Sequence, residues 1–70
     1  MTAISGRNQL AGKVASVTLG DIMAEVAVQV GDNVITSIIT RKSAESLDLK
    51  DGDMVTALIK STEVMIMKED

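Results

Sequence analysis

This 70-residue chain has no cysteine, no histidine and no aromatic residue. Each absence excludes a class of chemistry. Without cysteine there are no disulfides and no thiolate metal sites, and without histidine the commonest general base and transition-metal ligand is gone. Serine nucleophiles then lack an imidazole to activate them, and nothing here resembles a Ser-Lys dyad, so no catalytic residue and no catalytic cofactor are expected. The lack of aromatic rings removes the platforms on which single-stranded nucleic acid stacks, and the net charge of -3 offers no general attraction for a phosphate backbone. No apolar run approaches the roughly 20 residues that cross a bilayer, and the start lacks a basic-then-apolar leader. A soluble cytoplasmic protein without membrane or nucleic-acid partners is the expectation.

What is present is aliphatic. Hydrophobic residues make up 46% of the chain against 24% charged. A single domain this small is close to the lower limit for an adequate core, and with no staple available the remaining help is a second copy of itself. The pattern reads as strands. Residues 12–19 are β-branched and bounded by Gly20-Asp21. Residues 23–30 alternate with Ala24, Val26, Val28 and Val30 on one face. Gly31-Asp32-Asn33 turns the chain into a third strand over 34–40. A short helix follows from Arg41 toward Leu49, capped by Thr40 or Ser43, with Ala44 and Leu47 inward. Residues 54–61 and 64–67 predict the fourth and fifth strands, and Lys68-Glu69-Asp70 a solvated tail.

The fold class expected is all-β, a small OB-like five-stranded antiparallel barrel with one short helix between strands 3 and 4. Several strands are aliphatic on both faces, which again calls for a partner. The three Gly-Asp pairs read as turns. Asp51 and Asp53 lack the further carboxylates of a calcium loop, so no cation site is assigned.

Polar chemistry gathers in two places. Near the start, Ser5-Gly6-Arg7-Asn8 sets a hydroxyl, a guanidinium and an amide around a permissive glycine. Later, Thr40 and Ser43 lie where a strand passes into the helix, and Lys60 and Ser61 end the fourth strand. Taken singly, each has a plain explanation: a helix cap, or a lysine whose stem is buried and whose ammonium reaches water. Taken together, they are donors without a carboxylate. Such a set suits a tetrahedral anion that carries no proton, for example sulfate, molybdate or tungstate. A buried dianion needs more than one cation, which makes Arg7 the expected complement to Lys60, supplied across a subunit interface.

Ser5-Gly6-Arg7-Asn8 resembles the Ser-x-Arg-Asn motif of the molybdate-binding Mop proteins, the molbindins, whose fold is also the TOBE module of molybdate transporters and regulators. Ile39-Thr40-Arg41-Lys42-Ser43 and Ile59-Lys60-Ser61-Thr62-Glu63-Val64 resemble that family's pattern too, so the likeness spans essentially the whole chain as one Mop domain. It implies an OB-like barrel assembled as a homohexamer, a trimer of dimers, holding molybdate or tungstate between subunits for intracellular storage. Thr40, Ser43, Lys60 and Ser61 of one subunit would then bind the oxyanion with Ser5 and Arg7 of another. Asn8 would shape the loop, with Gly6 in place of a frequent alanine. Two other readings stand beside it: a purely structural oligomerisation module, and a weak nucleic-acid binder of OB architecture.

Overall fold

A computed structural model describes residues 4–69. Four antiparallel strands and a short helix make up the architecture: β1 (Asn8–Leu19), β2 (Met23–Val30), β3 (Asn33–Thr40), α1 (Arg41–Ser46) and β4 (Met54–Ile59), followed by a 3-10 turn at Ser61–Glu63. The sheet order is β3-β2-β1-β4. β3 and β4 are therefore its two edges. The all-β class with a helix between the third and fourth strands agrees with expectation. The expected five-stranded barrel does not, because the described residues form four strands in an open sheet.

β1 begins at Asn8, earlier than the β-branched segment alone indicates. Its first half, Asn8 to Lys13, pairs with β4, and its second half, from Lys13 to Leu19, pairs with β2. The residues Gln9-Leu10-Ala11-Gly12 have little strand preference of their own; distant β4 makes them a strand. Between Val14 and Ser16 the register slips by one residue. That bulge lets both Val14 and Val17 face inward, although they are an odd number of positions apart. At the same point Val14 exchanges backbone bonds with the turn before β4, from its N–H to the Asp53 carbonyl and from the Gly52 N–H to its own carbonyl, both 2.8 Å.

The core is small and aliphatic. Val14, Val26 and Val28 are 1–4% exposed, with Val17, Val30, Ile39, Leu49 and Val55 packed around them. Ala24 is also buried, so the inward face of β2 is the one that alternation indicated. Gly12 is buried inside β1. A Cβ there would sit 2.5 Å from the Gln29 carbonyl oxygen and 2.8 Å from a Val28 methyl, so β1 and β2 approach closely only because that side chain is absent. Gly31 takes φ 58° in the hairpin turn between β2 and β3.

α1 ends at Ser46, short of Leu49. Asp48 adopts φ 51° and the Leu49 N–H returns to the Ala44 carbonyl at 3.2 Å, which closes the last turn and releases the chain. Ala44 is buried as expected, but Leu47 is 66% exposed. Its surroundings explain this: Leu47 borders an open apolar groove between β3 and β4, lined also by Val26, Ile35, Ile39, Val55 and Ile59 and left open by the described residues.

β4 also stops early, at Ile59 instead of Ser61. Its last rung pairs Ile59 with Asn8, where β1 begins, so Lys60 and Ser61 have no ladder to join. Beyond the 3-10 turn the segment 64–67 forms no strand. Met65, Ile66 and Met67 are 92%, 88% and 83% exposed. An apolar segment becomes a strand only when it is paired, and this one lies on neither of the chain's own edges, β3 and β4. Lys68 and Glu69 are exposed as expected, and Asp70 lies outside the described residues.

Candidate functional site

Thr40 is the last residue of β3, opposite Met23 at the start of β2. Its φ of -72° and ψ of 150° make it the cap of α1, and its Oγ1 accepts from the Ser43 N–H at 3.1 Å. The same hydroxyl donates to Ser43 Oγ at 2.8 Å. The plain role, helix capping, is thus real. It also has a chemical consequence. With Thr40 Oγ1 engaged as acceptor and donor, the Ser43 O–H is left free to donate outward.

The chain around this pair is fastened by Arg41. Its N–H donates to the Ile22 carbonyl at 2.7 Å, its Nη1 to the Gly20 carbonyl at 3.1 Å, and its Nε to the Glu45 carboxylate at 3.3 Å. The spacing of Arg41 and Glu45, one helical turn apart, is a sequence signal for the Glu45 contact alone. The contacts to Gly20 and Ile22 depend on the fold and could not be read from the sequence.

The remaining site residues group differently from the sequence expectation. Asn8 is paired with Ile59, and its Nδ2 donates to the Ile59 carbonyl at 3.1 Å. This brings Ser5-Gly6-Arg7-Asn8 to the strand end that carries Lys60 and Ser61. Gln9 Nε2 donates to the Gly6 carbonyl at 2.8 Å and steadies the lead-in. A Cβ on Gly6 would meet nothing within 4 Å, so that position does not require glycine.

Thr40 and Ser43, by contrast, lie beyond the other end of the 12-residue β1, one rung past the Leu19–Ala24 pair. No hydrogen bond joins them to Lys60 or Ser61 among the described residues. One chain therefore holds two separate donor groups, one with hydroxyls and one with the two cations.

All six direct candidates, Ser5, Arg7, Thr40, Ser43, Lys60 and Ser61, are exposed in the single chain, while Gly6 and Asn8 are half-buried. Neither Arg7 nor Lys60 makes an ion pair among the described residues; the ion pairs are Arg41–Glu45 and Asp48–Lys50. An anion at an exposed cation competes with bulk water and salt, which makes the attraction weak. The hydrogen bond from Lys50 at 2.8 Å holds the Asp48 carboxyl below its usual range and raises the Lys50 ammonium in return. Asp53 accepts from the Lys50 N–H at 3.0 Å, so it is turn chemistry. No cluster of three or more metal-ligating side chains occurs among the described residues.

A chain with this ladder and these residues has clear relatives. The TOBE domain model matches residues 4–66. Molybdenum-pterin-binding protein 1 of Clostridium pasteurianum is 53% identical over 66 residues, covering 93% of this chain and 97% of that protein. Among solved structures, a molybdate binding protein from Sporomusa ovata superposes with a TM-score of 0.92 at 39% identity, over 96% of this chain and all of that one. MopII from Clostridium pasteurianum gives 0.88 at 49% identity, over 94% of this chain and 100% of that chain. With the family model spanning nearly its full length, the chain belongs to the TOBE domain family.

Proposed function

We propose that this protein binds molybdate, and tungstate as its close analogue, in sites assembled between copies of the chain, and that it serves intracellular molybdenum storage without catalysis. One observation carries the reading: the donor residues are all exposed, and one chain presents them in two groups at opposite ends of β1. A tetrahedral dianion is held tightly only where water is excluded and charge is matched. A neighbour that laid its Arg7–Asn8 arm and Lys60–Ser61 against Thr40 and Ser43 would supply both. The names of the relatives support the ligand. The absence of any aromatic ring speaks against a site that stacks a pterin.

The open sheet supports the assembly. β3 and β4 each present an unpaired edge, the groove between them is apolar, and residues 64–67 are an apolar segment of strand character. Exposed edges and exposed apolar strands favour pairing with another chain. The fifth strand of the barrel is then contributed from one copy to the next, and repetition of that exchange builds a closed homo-oligomer, with a hexamer arranged as a trimer of dimers as the proposed state. A cytoplasmic location is part of this reading; among the described residues no helix is long and apolar enough to cross a membrane.

Selectivity over sulfate follows from size. The longer bonds of molybdate reach donors that sulfate leaves unsatisfied, and an unmade bond to a buried donor costs about 1–3 kcal/mol. Isothermal titration of the protein with molybdate, tungstate and sulfate is the test.

A further inference from the structure

We infer that Arg41 is a positioning residue for the Thr40–Ser43 donor pair, an inference that rests on the oxyanion reading above. Arg41 follows Thr40 directly and makes three hydrogen bonds, two to the turn between β1 and β2 and one within α1. Its backbone N–H and its guanidinium hold the Ile22 and Gly20 carbonyls, which belong to the turn between β1 and β2, and its Nε holds Glu45 one turn into α1. The turn is itself closed by the Gly20 N–H on the Met23 carbonyl at 2.8 Å, and Met23 is the ladder partner of Thr40. Thr40 is thereby held on both sides, by its rung to Met23 and by the Arg41 clamp. The direction of its Oγ1, and through it of the Ser43 hydroxyl, is set before any ligand arrives.

Arg41 is not the second cation of the site. Its charge is paired with Glu45 at 3.3 Å, and two of its N–H groups are committed to protein oxygens. The pair is largely exposed, with side-chain accessibilities of 41% and 55%, so its worth to global stability is small. Its contribution is to preorganisation, since a donor pair already fixed loses less freedom on binding. A lysine at this position keeps the charge but is a single point donor, unable to span both the Gly20 carbonyl and Glu45 with a planar fork.

The experiment is calorimetric titration of the 70-residue protein with molybdate for the wild type, Arg41→Ala, Arg41→Lys and Glu45→Gln, with amide hydrogen exchange of the ligand-free proteins alongside. A clamp predicts that all three variants bind about three- to tenfold more weakly, the scale of ordering one side chain. Glu45→Gln is decisive in sign. Loosening the clamp weakens binding, whereas freeing a cation near the anion strengthens it. In exchange, the Ser43 amide loses protection in Arg41→Ala while the Val26 and Val28 amides keep theirs. Restoration by lysine, tighter binding in Glu45→Gln, or an unchanged Ser43 amide overturns the role of Arg41. A wild type that does not take up molybdate overturns the site reading itself, and the clamp with it.

Discussion

Asn8 Nδ2 donates to the carbonyl of Ile59 across 3.1 Å, joining two residues 51 positions apart in sequence. The bond fixes the start of β1 to the end of β4, so that Arg7 and Lys60, each adjacent to one partner, belong to the same end of the sheet. The two free cations of the candidate site are thus neighbours by topology.

Arg7→Ala removes one of these cations without touching the core. Hydrogen bonds to charged groups contribute about 1.5–3 kcal/mol, so molybdate affinity is expected to fall at least about tenfold. Any rise in melting temperature that molybdate gives the wild type should largely disappear, because in the proposed assembly binding and association are linked. Thermal melts with and without molybdate check both. Unchanged affinity would reduce the lead-in to an ordinary exposed arm.

Removing residues 64–70 takes away the proposed exchanged strand and leaves β1 to β4 intact. Sedimentation should then show a smaller species that retains β-type circular dichroism. The point variant Ile66→Asp, which sets a charge in this exposed apolar segment, is expected to act in the same direction. Full-size assembly in both proteins would mean that the copies meet elsewhere.

Gly12 is the tight point of the sheet. Gly12→Val drives a side chain against the Gln29 carbonyl and Val28, and overpacking of this kind costs about 1–3 kcal/mol. Gly6→Ala, which meets open space, should leave the melting temperature unchanged. The contrast between the two variants separates the effect of packing from a general cost of replacing glycine.

The Asp48–Lys50 pair sets a pH dependence whose sign is fixed. The folded Asp48 carboxyl titrates below its ordinary value, so its contribution is present at neutral pH and is lost as pH falls through the folded value. Lys50 is raised, so its contribution holds at neutral pH and is lost as pH rises through its folded value. Asp48→Asn should flatten the acid limb of a plot of melting temperature against pH, by a small amount because both groups are exposed. An unaltered acid limb would show that the pair does not form in solution.

Legibility in the sequence followed the range of the interactions. β2 and β3 announce themselves through local alternation and a turn with Gly31. The first half of β1 does not, because Gln9-Leu10-Ala11-Gly12 becomes a strand only through β4. The segment 64–67 has strand character but pairs with neither edge of its own sheet, and pairing is what a pattern of side chains cannot show. In the site, the cap spacing of Thr40 and Ser43 was readable. The grouping of Arg7 with Lys60, and the clamp by Arg41, depend on register and tertiary contact.

The most direct measurement is calorimetric titration of the wild-type protein with molybdate and, separately, with sulfate. Composite donor sites predict saturable molybdate binding well below millimolar, fewer ligands than would fill an independent site at every exposed lysine and arginine, and clearly weaker sulfate binding. No oxyanion binding tighter than millimolar would contradict the proposed function.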